Sequence, residues 1–291
     1  MRDHLVLMWS WRRGSEMRGA LRALCASAVL SSCLAAMPAA AQEPEPLEDN
    51  SFLIEEAYNQ EAGVVQQYGT YLRGRRGGWI AAFTQEWPVS GQTHQISYTL
   101  TYGQAGPGGE RGLGDVLVNY RYQAADEGDR LAFAPRLSVV IAGSQADSGA
   151  SYRGAGPQGM LPVSITLTPW LVSHSNLGLT WIPAGRDGDA TARFLVVTLG
   201  QSLVWLPHPR FNVMLEALWL NTDVRTGGTS RRDQALLVSP GIRWGLDLPH
   251  DVQLVLGLAA PLGVGPSAGE RSVLLYLSIE APFWHPAATR P

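Results

Sequence analysis

The sequence predicts an all-β fold, an antiparallel up-and-down transmembrane β-barrel of about twelve strands. Three observations predict it. Short segments that alternate apolar and polar residues recur from residue 63 onward. Charged residues make up only 16% of the chain although 45% of it is hydrophobic, against about 25% charged in ordinary soluble proteins. An alanine-rich export signal stands at the front. No run of about 18 apolar residues follows that signal, so helical spanning is excluded in the body of the chain.

The export signal reads best from Met17. Arg18 and Arg22 form its basic region, Ala23–Ala36 its apolar stretch, and Ala39-Ala40-Ala41 its cleavage site. Both cysteines, Cys25 and Cys33, lie inside it, so a mature chain has no disulfide. Leu30–Cys33 also resembles a lipoprotein cleavage box, which is an alternative processing route to a lipid-anchored β-protein. Removing 1–41 takes away five arginines, one aspartate and one glutamate, so the formal charge falls from −3 to −6. Residues 42–62 follow as an acidic periplasmic segment or plug. Within it FLIEEAY (Phe52–Tyr58) reads as a short helix that docks Phe52, Leu53, Ile54 and Tyr58 into the barrel. No basic stripe supports nucleic-acid binding.

Strands are expected at 63–72, 78–87, 94–103, 114–123, 131–142, 160–168, 171–182, 193–205, 210–221, 234–246, 251–262 and 272–283, a barrel domain over 63–284 with a tail at 285–291. Glycine, proline and aspartate clusters separate them. With the N-terminus in the periplasm, the outer connections are long (103–113, 143–159, 183–192, 222–233, 263–271). The inner ones are short (88–93, 169–170, 206–209, 247–250). That asymmetry is the one outer-membrane barrels show. Ile96, Tyr98, Leu100 and Tyr102 oppose Gln95, Ser97, Thr99 and Thr101, and the polar set is mostly uncharged, as suits a lumen. Strands 193–205 and 251–262 are apolar on both faces, and inward apolar residues there would line a greasy passage. Tryptophans near strand ends, such as Trp79, Trp170, Trp205 and Trp244, read as interfacial girdles.

Strand parity turns Glu86, Asp115, Arg121, Arg136, His174, Glu216, Arg243 and Glu280 inward as lumen residues, serving as cross-lumen salt bridges or a selectivity constriction. The last strand places Leu275, Leu277, Ile279 and Phe283 on one side, the pattern expected of a signal to the barrel-insertion machinery. His174-Ser175 suggests a hydrolase pair, but neighbours on a strand point to opposite faces, so no catalytic residues are assigned. The histidines have no metal-ligand spacing and no phosphate loop is present, so neither metal nor cofactor is expected.

DNSFLIEEAYNQEAGVVQQ (Asp49–Gln67), FTQEWPVSGQTHQISYTLTY (Phe83–Tyr102) and GLGDVLVNYRYQ (Gly112–Gln123) carry a more specific signal. SNLGLTWIP (Ser175–Pro183) and SPGIRWGL (Ser239–Leu246) join them. Together they resemble a family of outer-membrane barrels named for the MetA pathway of phenol degradation. The resemblance implies a transporter-like barrel related to channels for hydrophobic compounds, and no family site residues transfer. The expected function is passive outer-membrane passage of small, hydrophobic or aromatic solutes. A structural or assembly barrel with a blocked lumen and an outer-membrane lipid hydrolase are the alternatives. The expected partners are outer-membrane lipid, the insertion machinery and a small solute.

Overall fold

The structure is a computed structural model that describes residues 47, 49–125, 130–143, 152–187 and 189–283. The export signal, Trp284 and the tail lie outside the described residues. The described residues form fourteen strand segments. The first four are β1 (Val64–Gly74), β2 (Trp79–Pro88), β3 (His94–Gln104) and β4 (Arg111–Tyr122). Then come β5 (Leu131–Phe133), β6 (Arg136–Ala142), β7 (Tyr152–Thr168), β8 (Leu171–Asp187) and β9 (Ala190–His208). The last are β10 (Phe211–Thr226), β11 (Thr229–Leu248), β12 (Val252–Ala259), β13 (Leu262–Gly263) and β14 (Ser272–Pro282).

These segments make twelve staves. β5 and β6 pair with successive stretches of β7, as Leu131↔Ile165 and Arg136↔Met160. β12 and β13 share β11 in the same way, as Ala259↔Gly241 and Leu262↔Val238. Each interruption carries a proline, Pro135 or Pro261. Proline has no N–H to give to a ladder, so the stave breaks there and resumes. All neighbours are antiparallel, and β1 pairs β14 from Val64↔Pro282 to Gly74↔Ser272, which closes the barrel. Closure leaves no edge, the condition for a sheet in hydrocarbon.

Alternate residues then face lipid or lumen. Leu137, Val139 and Ile141 of β6 stand outward and exposed, and Arg136 and Ser138 inward and buried. On β14, Leu275 and Leu277 face out and Tyr276 and Ser278 face in. A closed barrel with this apolar exterior is an outer-membrane fold.

Three expectations about connections need correction. Stretches 183–192 and 222–233 are not long loops. β8 runs to Asp187 and β9 begins at Ala190, and β10 and β11 are joined across Gly227-Gly228 alone. Both of these glycines have positive φ, 53° and 87°, as a two-residue hairpin requires. β7 likewise already begins at Tyr152, inside the expected loop 143–159. The polar residues in these hairpins mark where the staves leave the lipid, not where they end. Arg231 pairs with Asp233 at 2.8 Å and with Asp187 at 3.3 Å, so charged side chains decorate a ladder that continues into water.

Candidate functional site: the lumen and the segment inside it

The inward residues divide the lumen into two storeys. The storey toward the long hairpins is mainly apolar, with Thr101, Asp115, Thr180 and Thr222 buried among its side chains. Leu72 and Ile80 from β1 and β2, Leu117 from β4, Val140 from β6, Ile182 and Phe194 from β8 and β9, Leu237 from β11 and Leu274 from β14 are all buried. The storey toward the short turns is polar, built from Gln66, Glu86, Gln95, Arg121, Arg136, His174, Asn176, Glu216 and Arg243. β9 shows the change within one strand. Its inward face reads Phe194, Val196, Thr198, Gly200, Ser202, with Val204 returning to apolar beside the short turn.

The polar storey holds the chain's own N-terminal segment. Residues 47–60 start at the short-turn rim, where the Leu47 N–H donates to the Pro209 carbonyl at 2.9 Å. The segment crosses the lumen and returns to the same rim, where the Gln60 N–H donates to Gln95 at 2.7 Å. Between these points it forms bends. The short helix expected at Phe52–Tyr58 is absent, and the reason is where the backbone N–H groups go. Leu53 and Ile54 donate to one Glu216 carboxylate oxygen at 2.8 and 3.1 Å. Glu55 donates to Asn176 at 2.7 Å, Ala57 to Ser164 at 2.8 Å and Asn59 to Gln123 at 2.8 Å. Side chains of the wall take the bonds that a helix would make internally, so the buried backbone stays satisfied.

Three arginines on three staves hold the same segment. Arg243 donates to the carbonyls of Leu47 and Asp49 and pairs with Glu56 at 3.1 Å. Arg121 donates to the Asn59 side chain at 2.8 Å and to the Tyr58 carbonyl, and lies 3.7 Å from Glu86. Arg136 makes a two-pronged bond to Glu55 at 3.0 and 2.9 Å. Such charge-assisted, forked pairs are the strong ones. Burial pushes the Asp49 carboxyl up to about 6 from 3.8, with Arg243 and the Tyr276 hydroxyl pulling it down. Burial also raises Glu56, but His174 and Arg243 outweigh it and its pKa ends below the ordinary value.

The apolar face of the segment fits glycines. Phe52, Leu53 and Ile54 are fully buried. Gly200 on β9 sits under Ile54, Gly241 and Gly257 on β11 and β12 sit under Phe52, and Gly245 sits under Leu47. A Cβ at Gly241 would stand 2.9 Å from the Phe52 ring, and one at Gly245 would stand 2.8 Å from Leu47. Glycine inside a strand marks a close approach. A cavity of about 60 Å³ is left between the segment and the β1–β6 wall, room for a few waters.

Seven of the eight residues assigned to the lumen by parity surround this segment. Glu86, Arg121, Arg136, His174, Glu216 and Arg243 do so as described, and Glu280 does so through Gln66, whose amide donates to both Glu280 and Asp49. Asp115 is buried apart from them, its backbone carbonyl accepting from Thr101 at 2.8 Å. Leu275, Leu277, Ile279 and Phe283 are exposed on the outer face. Gln66, Gln123, Ser164 and the four glycines were not singled out from sequence. Parity alone would have turned Gln66 and Ser164 inward.

His174 meets a serine, but not its neighbour. Ser175 points outward and donates to Gln201, while His174 Nδ1 lies 2.7 Å from Ser164 Oγ across the β7–β8 pair. Ser164 and His174 are both buried in the lumen, and the Ser164 oxygen already accepts the Ala57 N–H. A nucleophile needs an open approach to its oxygen, and this pair serves the segment instead. Among the described residues, no group of three or more His, Cys, Asp or Glu side chains is placed to hold a metal ion.

No protein-family model matches the chain, and no curated protein matches it. Solved structures do. An outer membrane channel from Pseudomonas putida F1 superposes with a TM-score of 0.56 at 12% identity, over 77% of this chain and 97% of that one. At that identity it establishes the fold, an outer-membrane barrel. The KdgM porin (TM-score 0.45, 8% identity, 72% and 97% coverage) and the Pseudomonas putida toluene transporter TodX (0.38, 10%, 84% and 100%) are more distant likenesses.

Proposed function

We propose that this protein is an outer-membrane channel for passive passage of small apolar solutes, closed by residues 47–60. One observation carries the reading. The half of the lumen toward the long hairpins is walled mainly by apolar side chains, with Asp115 and a few threonines among them, where a water-filled pore is polar throughout. A solute that sheds water readily gains there, and a sugar or an ion loses its hydration without replacement. The segment then acts as the closure, because it fills the polar storey while bonding almost wholly through side chains that persist without it.

The occupation of the polar storey by the segment favours a second reading, a structural barrel that passes nothing. Swelling of vesicles that carry the intact protein or a variant lacking 42–60 separates the two. A panel of sugars, amino acids and phenols is used, with protein-free vesicles as reference. The channel reading expects faster entry through the deletion variant, with phenols ahead of sugars of similar size. Equal rates with and without protein, for both forms, remove it.

A further inference from the structure

Phe52 occupies a slot cut to the shape of its ring. Gly241 and Gly257 stand on neighbouring strands, β11 and β12, and each presents bare backbone where a Cβ would strike that ring. Tyr276 on β14 closes the side, its ring centroid 5.2 Å from that of Phe52 at a 45° tilt. This is the tilted contact aromatic pairs favour. Ala259 and Leu274 belong to the same apolar cluster and connect the slot to the apolar storey. The slot therefore lies where the greasy half of the lumen meets the segment.

The backbone on either side of Phe52 is held by polar groups that do not depend on the ring. The Leu53 and Ile54 N–H groups go to Glu216, and the Asp49 carbonyl goes to Arg243. The phenyl group is thus a tethered occupant of a site that belongs to the wall. A free ring of the same size, arriving through the apolar storey, would meet the same two glycine faces and the same tyrosine.

We infer that Gly241, Gly257 and Tyr276 form a binding site for a monocyclic aromatic ring, and that Phe52 is its built-in competitor. This rests on the channel reading for its physiological meaning, since a solute that displaces Phe52 also loosens the closure. The site itself does not depend on flux. Tethering gives Phe52 a high effective concentration, so a free ring competes poorly until Phe52 is removed. An apolar cavity left by a deleted side chain binds benzene-sized molecules.

The test is fluorobenzene binding, followed by ¹⁹F relaxation, to the full-length purified barrel. Heat-modified gel migration checks closure of each variant. Phe52→Ala is expected to bind at least about tenfold more tightly than the parent. Adding Gly257→Leu or Gly241→Leu to Phe52→Ala fills the slot from the wall, and binding is expected to return to the parental level. Phe52→Leu, which keeps an apolar side chain of smaller size, gives an intermediate result and serves if the alanine variant does not close. Equal binding by the parent and both Phe52 variants overturns the inference. So does tight binding that survives both glycine substitutions, which would place the ring elsewhere. Vesicle flux is read separately. Binding without flux leaves the site standing and removes the channel, and flux without binding does the reverse.

Discussion

The two storeys of the lumen are built on the same staves with the same alternation, yet one is mainly apolar and the other is a polar network. The difference follows from what each surrounds. The short-turn half encloses a piece of irregular backbone whose buried N–H and C=O groups need partners. Glu216, Asn176, Ser164, Gln123, Arg121 and Arg243 supply them, while Arg136 pairs with the Glu55 carboxylate. The long-hairpin half encloses no such backbone among the described residues, and Phe194, Leu237 and Leu274 are buried there in apolar clusters. Polarity inside a barrel is thus set by its occupant as much as by water.

Breaking the polar storey is expected to have the largest effect. Arg243→Ala removes the charge beside Glu56 and the donor to two segment carbonyls at once. Breaking a buried pair costs about 3–5 kcal/mol. Planar-bilayer recordings should show frequent openings in this variant, and a parental trace would argue that Arg243 does not hold the segment. Glu216→Leu ranks second. It orphans the Leu53 and Ile54 N–H groups, at about 1–3 kcal/mol each. Faster protease cleavage within 47–60 is the expected readout.

The apolar storey gives a smaller, different effect. Phe194→Ser in the variant lacking 42–60 places a hydroxyl and open space in the greasy wall. Sugar entry should rise relative to phenol entry, and an unchanged ratio would mean that this storey does not select.

The smallest effect is that of pH on Asp49. Its raised pKa means that the protonated form favours the docked segment. The increment is complete below about pH 3.8 and is lost as pH rises through about 6. The depressed Glu56 acts in the opposite sense and at lower pH, as its ionised form is lost. Opening should therefore increase modestly between pH 4 and 6.5, and Asp49→Asn should flatten that slope.

Much of this architecture was legible in the sequence because a strand's period of two survives any register. Val139 out and Ser138 in follow from parity alone, as do the inward Arg136 and Arg243. Twelve staves followed from the spacing of turn residues. Two things were not legible. The ends of β8 to β11 were hidden because charged residues look like loop when they sit on a ladder in water. The path of 47–60 was hidden because its conformation is set by wall side chains more than a hundred residues away, as with Leu53 and Glu216. Its trace in the wall was glycine at 200, 241, 245 and 257, inside strands where nothing in the neighbouring sequence calls for it.

The central claim is that residues 47–60 close the lumen, and a reversible lock tests it most directly. Ala57 and Ser164 are joined by a 2.8 Å backbone-to-side-chain bond, and the sequence has no cysteine beyond Cys33 to interfere. Introducing Ala57→Cys with Ser164→Cys in the Arg243→Ala background lets a disulfide pin the segment to β7. Oxidised protein is predicted to lose the openings that Arg243→Ala creates, and reduction is predicted to restore them. Identical currents in the oxidised and reduced states would contradict the account.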